Sequence, residues 1–177
     1  EVGRGGGILQ ARFNGIFGLG DRTTLGVFST HDLREQLVLQ VGQEIRVGGE
    51  GLTLGANFSY AWTRPTLGAG IFLRSETLVA TLQASYPIIR RQTFNLNVSG
   101  GLDIVNQSSS FNGIPFTRDR LRVPYVKLGY EAFDPKSVVS TTGYSVSEPR
   151  WRVGASLELR HGIDALGASP DCRANPL

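Results

Sequence analysis

Apolar and polar residues alternate along most of this chain. In Leu52–Thr63 every even-numbered residue is apolar and every odd-numbered residue is polar or small, and Phe94–Asp103 repeats the pattern. Successive side chains of a β-strand point to opposite faces, so each stretch predicts a strand with one apolar and one polar face. About ten residues in this alternation are typical of a strand that crosses a membrane within a β-barrel.

Eight stretches have the composition of strands, and seven of them alternate strictly. They are Ile8–Phe17, Thr23–Thr30, Leu37–Val47, Leu52–Thr63, Thr77–Tyr86, Phe94–Val105, Leu121–Phe133 and Arg150–His161. Leu121–Phe133 changes phase at its centre, and we interpret this change as a β-bulge near Tyr125. No stretch has a 3.6-residue period, and no apolar run reaches the roughly 18 residues of a transmembrane helix. The sequence therefore predicts an all-β fold, an antiparallel meander of about eight strands.

The connections between these strands differ in length. Three are short turns (Gly18–Asp21, Gly48–Gly51 and Pro87–Gln92), whereas Arg64–Phe72 and Asn106–Asp119 are longer loops. Short turns at one end and longer loops at the other are typical of bacterial outer-membrane barrels. The loop Asp134–Pro149 is an exception, because its place in the order predicts a short turn.

Aromatic residues gather near the ends of the predicted strands. Phe17, Tyr86 and Phe94 lie beside short turns, and Tyr60 and Trp62 lie at the opposite end of their strand. This distribution indicates two aromatic girdles at the membrane interfaces. Packing in an ordinary core is the alternative.

The polar row predicts the surface that faces the lumen of the barrel. Its candidate residues are Arg12, Gln40, Glu44, Arg46, Asn57, Gln83, Asn95, Asn97, Asp103, Arg152, Glu158 and Arg160. Functionally, they would keep a path filled with water and touch a passing chain weakly. Structurally, they could instead satisfy one another's charges and hydrogen bonds, and we favour this second role for any single residue.

Composition narrows the function classes. The chain has 177 residues, enough for one domain, and a net charge of +3, too small to indicate nucleic-acid binding. Of its 18 basic residues only Lys127 and Lys136 are lysines, so arginine dominates and can form forked pairs with carboxylates. The single cysteine, Cys172, excludes a disulfide framework.

Catalytic and cofactor motifs are weak in this sequence. Ser29, His31 and Asp32 are too close along the chain for a catalytic triad and lack a nucleophile elbow. His161 and Asp164 are too few for a metal site, and the glycines at 5–7 lack the Lys-Ser/Thr of a phosphate loop. We expect no enzyme activity, no metal and no cofactor.

Several short motifs resemble those of a known family in their order and spacing. They are Gly18-Leu19-Gly20-Asp21 followed by Thr24-Leu25, then Tyr86-Pro87-Ile88-Ile89-Arg90, Asn95-Leu96, Asp119-Arg120-Leu121-Arg122 and Leu157-Glu158-Leu159-Arg160-His161-Gly162. In these elements the chain is similar to the TpsB transporters of two-partner secretion, the ShlB/FhaC/HecB haemolysin-activator group within the Omp85 superfamily.

The resemblance implies a location, a partner and a place within a larger barrel. TpsB barrels have about sixteen strands, and this chain resembles roughly the second to the ninth. The implied location is the outer membrane of a bacterial cell, where outer-membrane lipid is one partner. The implied substrate is a TpsA-type exported protein of the haemolysin or adhesin class. The family's periplasmic POTRA domains and the loop that enters its lumen have no counterpart in this sequence.

We expect the chain to be part of that larger barrel. It contains no Met, begins almost directly in a strand and ends in a polar tail. We therefore assign residues 1–166 to a barrel segment and 167–177 to a tail in loop conformation. Two alternatives are open: another outer-membrane barrel, such as a porin-like channel or an Omp85-type insertase, and a soluble β-sandwich that acts as a binding module.

Overall fold

The computed structural model describes residues 5–31, 35–67, 71–134 and 151–170. No helix in these ranges is long and apolar enough to cross a membrane. The described residues form β1 (Gly6–Asn14), β2 (Arg22–Thr30), β3 (Gln36–Val47), β4 (Leu52–Thr63), β5 (Thr66–Leu67), β6 (Ile71–Arg90), β7 (Phe94–Phe111), β8 (Ile114–Phe133) and β9 (Arg152–Arg160).

Eight of these strands form one open sheet. Its order is β1-β2-β3-β4-β6-β7-β8-β9, and every neighbouring pair is antiparallel. The two-residue β5 pairs only with the start of β6. Each strand therefore pairs with the next long strand in sequence, and the predicted antiparallel meander of eight strands is confirmed.

The sheet has almost no core of its own. Among the described residues, Ala132 is the single buried hydrophobic side chain, whereas Leu9, Leu82 and Leu159 are 76, 52 and 68 % exposed. Large apolar side chains left in water are unfavourable at roughly 25 cal/mol per Å². The apolar face therefore requires a cover that this part of the chain does not supply.

The apolar residues of that face form a band that runs obliquely across the strands. Towards the end of the sheet where β7 turns into β8, the continuous apolar run on successive strands ends at Trp62, Leu78, Ile104, Pro124 and Leu159. From β4 to β8, the residue directly opposite each one on the next strand is polar: Glu76, Asn106 and Arg122. The boundary thus shifts by two residues per strand, about 6.6 Å against a strand spacing of about 4.8 Å. We call these residues the apolar band; a band that crosses the strands obliquely is what tilted barrel strands produce.

The hairpin between β7 and β8 is longer than the sequence predicted. Residues Asn106–Asp119, expected as a loop, continue as paired strands up to a two-residue turn at Asn112 and Gly113. Both turn residues have positive φ, 50° and 81°, as the two-residue turns that suit hairpins require. The Asn112 backbone N–H also donates to the carbonyl of Phe72 at 2.8 Å, and its Oδ1 accepts from the Phe72 N–H at the same distance.

The predicted bulge near Tyr125 is wrong. The pairing of β7 with β8 is continuous from Phe94 opposite Ala132 to Ser109 opposite Thr117, and the irregularity lies only beyond Ser109. The change of phase has another cause: β8 leaves the apolar band at Pro124. Beyond that residue the same face carries arginines, while Leu121 and Val123 lie on the opposite face.

Other boundaries also differ from the sequence prediction. Strand β1 ends at Asn14, because residues 15–21 form a wider turn closed by a hydrogen bond from the Gly15 N–H to the Asp21 carbonyl. Strand β6 runs through Pro87 to Arg90, with a register irregularity between Pro87 and Ile89 in place of the predicted turn. It also begins at Ile71, within the stretch predicted as the loop Arg64–Phe72.

Two predicted segments lie wholly or partly outside the described residues. Residues 135–149 of the predicted loop Asp134–Pro149 and residues 171–177 of the predicted tail are among them. Residues 161–170 continue from β9 beside β8, where the Ile163 N–H donates to the Arg122 carbonyl at 2.9 Å. The division between residues 166 and 167 stays a prediction.

Candidate functional surface

The strand register places all twelve candidate lumen residues on one face of the sheet. Arg12, for example, lies in the same row as Asn57 and Asp103, because β1 to β7 pair without a shift in that row. We call this side the polar face and the side of the apolar band the apolar face. That the polar face lines a lumen stays a prediction, whereas the grouping of its residues is a property of the fold.

Glycines on the polar face act as seats for polar side chains. At four positions a glycine faces a long side chain of the next strand in the sheet, and that side chain lies across it. The pairs are Gly26 with Gln40, Gly42 with Asn57, Gly55 with Gln83, and Gly101 with Tyr125. At these glycine seats the neighbouring side chain lies flat along the sheet, because the glycine has no Cβ to push it away. The polar face therefore projects less from the backbone than it would with larger residues.

The seat at Gly101 is the most tightly packed. A Cβ on this residue would lie 2.3 Å from the Leu82 carbonyl oxygen and 2.8 Å from both Cζ and Oη of Tyr125. Tyr125 also donates from its hydroxyl to Oε1 of Gln83 at 3.4 Å. Gly101, Gln83 and Tyr125 therefore form one cross-strand contact over β6, β7 and β8.

Arg160 links this contact to a group of charges. Its guanidinium carbon lies 5.1 Å from the centroid of the Tyr125 ring, a cation–π contact, and its Nη1 donates to Oδ2 of Asp103 at 2.9 Å. Asp103 accepts a second bond at Oδ1 from the Thr81 hydroxyl at 2.8 Å. Arg160 also pairs with Glu158, whose other oxygen lies 3.7 Å from Nζ of Lys127.

The other candidates lie at separate positions on the polar face. Glu44 accepts from Nη2 of Arg22 at 2.7 Å, and Arg152 pairs with Glu131 near the end of β8. These pairs are exposed, so each contributes at most about 1 kcal/mol to stability. Four further candidates, Arg12, Arg46, Asn95 and Asn97, make no side-chain hydrogen bond or ion pair to another described residue.

Some of these residues share a shallow groove of about 220 Å³. Arg12, Glu44, Asn57 and Gln83 line it together with Arg22. The structure thus brings part of the predicted row into two groups. One is the groove around Arg12, and the other is Arg160 with Asp103, Glu158, Lys127 and Tyr125, which we call the Arg160 cluster. Gln40, Arg46, Asn95, Asn97 and Arg152 belong to neither group.

Tyr125 is the residue that sequence reasoning missed. The interpretation of a bulge assigned it to a phase change, although the structure places it on the polar face opposite Gly101. An aromatic residue in register with a glycine on the preceding strand was the available signal. Thr81 and Lys127 were missed as well, because their roles depend on partners on other strands.

Asp21 organises the turn between β1 and β2. It is only 2 % exposed and accepts from the Phe17 N–H at 3.0 Å and from Nε2 of Gln43 at 3.4 Å. Burial raises the pKa of its carboxyl, but hydrogen bonds from backbone N–H groups, that of Phe17 first, and from Gln43 outweigh burial and lower the pKa below its usual value. The folded turn therefore stabilises the ionised form of the Asp21 carboxyl.

Aromatic side chains on the apolar face lie towards both ends of the band. Tyr60 and Trp62 are in contact at a ring-centroid distance of 4.3 Å, and Tyr60 donates from its hydroxyl to Glu76 at 3.1 Å. Near the opposite end, Phe94 and Tyr130 are 5.3 Å apart in an edge-on arrangement. Their assignment to membrane interfaces stays a prediction.

The weak catalytic motif of the sequence forms no triad geometry in the described residues. The Ser29 hydroxyl donates to the carbonyl groups of Thr30 and Gln36, at 3.0 and 3.2 Å. Asp32 lies outside the described residues. Within the described ranges, no group of three or more His, Cys, Asp or Glu side chains is placed to hold a metal ion.

Comparison with known proteins gives one informative likeness. No protein-family model and no curated protein sequence matches the chain. Among solved structures, CdiB from Acinetobacter baumannii superposes with a TM-score of 0.66 and 16 % sequence identity, over 89 % of this chain and 28 % of CdiB. The chain thus spans less than a third of that structure, and its open meander matches a fragment of a TpsB β-barrel.

Proposed function

We propose that this chain forms part of the barrel wall of an outer-membrane transporter that exports a TpsA-type partner protein. The observation that carries the proposal is the superposition on CdiB, a two-partner secretion transporter, over 89 % of the chain. Membership in the ShlB/FhaC/HecB group of the Omp85 superfamily belongs to the same proposal, supported by the motifs between Gly18 and Gly162.

The two faces of the sheet support a membrane location. Side chains such as Leu82, Leu157 and Leu159 are 52 to 68 % exposed on one face, and hydrocarbon is the cover that suits them. The opposite face carries the glycine seats and the Arg160 cluster, which suit contact with water. We infer that the apolar band faces lipid and that the polar face lines the lumen.

The proposed mechanism is passage, with no bond made or broken. An extended substrate would slide over amide and hydroxyl groups that lie flat along the sheet, among them the amides of Gln40, Asn57 and Gln83 at the glycine seats. The charges of that surface are largely paired with one another, as in Arg160 with Asp103 and Arg22 with Glu44. Paired charges bind a passing chain weakly, which favours release over capture.

Deletion of the gene that encodes the intact protein tests this function. We expect one large secreted protein to disappear from the culture medium, as measured by quantitative mass spectrometry, and to return when the intact gene is restored. An unchanged set of secreted proteins would contradict export. Loss of many outer-membrane proteins from the membrane fraction would instead indicate an insertase.

A second experiment distinguishes a transporter from a porin. The measurement is the uptake of small sugars by the deletion strain. A transporter of this type leaves sugar uptake unchanged when it is deleted. Reduced uptake with normal secretion would favour a porin-like channel.

A further inference from the structure

A row of three arginines lies on the apolar face just beyond the apolar band. Arg118, Arg120 and Arg122 alternate along β8, on the same face as Pro124 and Val126. Their neighbours in the same rows of β7 are Ser108, Asn106 and Ile104. We call this set the arginine row; it begins where the band ends.

The arginine row has no acidic partner among the described residues. Arg122 is 8 % exposed and donates to Asn106 Oδ1 at 2.9 Å and to the carbonyls of Leu121 and Leu166 at 2.8 and 3.2 Å. The guanidinium groups of Arg118 and Arg120 make no hydrogen bond or ion pair within the described ranges. Within the described ranges, the exposed head of Arg118 and the half-buried head of Arg120 are thus unpaired and open to an external anion.

A cavity of about 260 Å³ opens beside these heads. All three arginines line it, together with Asn106, Ser108 and the turn at Leu166–Gly167. The acidic lining residues do not neutralise it: Glu76 is bound by Arg74 at 2.5 Å and by Tyr60 at 3.1 Å, and Asp119 belongs to the opposite face. The turn is held in place because the Ser169 N–H donates to the Arg120 carbonyl at 2.8 Å.

We propose that the arginine row binds the phosphate group of a membrane lipid. Guanidinium groups bind phosphate through forked pairs of hydrogen bonds, and basic pockets at membrane level bind anionic headgroups. The ligand is a lipid because the cavity adjoins the apolar band, where acyl chains would lie on Leu78, Ile104 and Val126. This inference rests on the proposed membrane orientation of the apolar face, but not on export.

The membrane side follows from the connections of the sheet. The arginine row lies towards the Asn112 tip, the end opposite the turns at residues 15–21 and 48–51. In outer-membrane barrels the longer connections are extracellular, and the hairpin from Asn106 to Asp119 extends beyond the apolar band at this end, so the row faces the outer leaflet. The lipid in question is therefore a phosphate-bearing lipid of that leaflet, for which bisphosphorylated lipid A is the probe.

The experiment measures lipid retained by the intact protein. Wild-type protein is reconstituted into nanodiscs of phosphatidylcholine with either bisphosphorylated or fully dephosphorylated lipid A, and bound lipid is quantified by fluorescence quenching. The test variant is Arg118→Gln with Arg120→Gln. The matched control is Arg64→Gln with Arg91→Gln, which removes the same charge from exposed positions outside the row.

We expect wild type and control to prefer the phosphorylated lipid equally. In the test variant this preference falls about fivefold per arginine, or about 30-fold for the pair. Equal preference in test variant and wild type, or equal loss in test variant and control, would overturn the proposal. Displacement by millimolar inorganic phosphate as effective as by lipid A would also overturn it, because the site would then bind phosphate as such.

Two readouts keep folding and location separate from lipid binding. Heat-modifiable migration on gels reports whether each variant is folded, and Arg118→Lys with Arg120→Lys is expected to restore part of the preference by keeping the charge. Wild-type protein that is recovered only in the soluble fraction would refute the membrane orientation itself. Normal lipid preference with no change in secretion on deletion would refute export alone.

Discussion

Gly101 lies where three strands pack so closely that a residue with a Cβ does not fit. A Cβ there meets a backbone carbonyl at 2.3 Å, which cannot rotate away as a side chain can. At Gly42 the closest atom is instead Oδ1 of Asn57 at 2.7 Å, the end of a flexible side chain. The same substitution therefore has different consequences at two seats that look alike in sequence.

We predict that Gly101→Ala destabilises the intact protein by about 1 to 3 kcal/mol, the usual cost of overpacking. Gly154→Ala is the matched control, because its Cβ would meet nothing within 4 Å. The measurement is the unfolding midpoint in denaturant, read from the heat-modifiable gel shift. Equal midpoints for the two variants would show that β6, β7 and β8 are less closely packed around Gly101 than the structure has them.

Asp21 gives a prediction on pH. The folded state lowers the pKa of its carboxyl, so its contribution to stability is present above the unfolded value of about 3.9 and is lost as pH falls through the lower, folded value. We expect Asp21→Asn to be less stable than wild type at pH 7 and the difference to shrink below about pH 4. Proteolysis of the turn at residues 15–21 in the intact protein measures it; a difference independent of pH would contradict the assignment.

Among the elements, the hairpin of β7 and β8 shows what hydropathy patterns cannot detect. Strands β1 to β4 were predicted from alternation. A strand with lipid or another apolar cover on one face and water on the other carries apolar and polar residues in turn. Beyond the band both faces of β7 are polar, as in Asn106–Ser110, so the alternation disappears while the pairing continues. The Asn112-Gly113 turn was the remaining signal for a tight hairpin.

We predict that Gly113→Ala loosens this extension without affecting the rest of the sheet. The substitution forces a Cβ onto a backbone with φ of 81° and costs about 1 kcal/mol or more. Hydrogen exchange of the intact protein should accelerate at residues 108–118 and stay unchanged in β2 and β3. Gly129→Ala, where the nearest atom is 3.9 Å away, is the control; acceleration in both variants would contradict a local effect.

The polar face was predicted as a row but not as a set of contacts. Every candidate from Arg12 to Arg160 follows from the period of two. The contacts between them depend on which strands are neighbours and in what register. Tyr125 and Gln83 are 42 residues apart in sequence, and Arg160 and Asp103 are 57 apart. No local pattern specifies pairs at such separations, so the Arg160 cluster had to be found in the structure.

For the whole molecule, the orientation of the sheet is the property on which function depends. We predict that Leu82→Arg, in the middle of the apolar band, costs about 2 to 4 kcal/mol in the membrane. Ser85→Arg, on the opposite face of the same strand, should be tolerated. The amount of folded intact protein in the outer-membrane fraction measures both. Equal loss, or loss only in the second variant, would reverse the assignment of the faces.

The slope of the apolar band has a consequence for any cargo. In the proposed orientation the band lies parallel to the membrane and crosses the strands obliquely, so a polypeptide that travelled along the pore axis would also cross them at an angle. It cannot align with a strand, and the N–H and C=O groups inside the sheet are already engaged with each other. In the proposed transporter, the interior of this sheet would therefore offer no free hydrogen-bonding groups with which an unfolded cargo could pair as a β-strand.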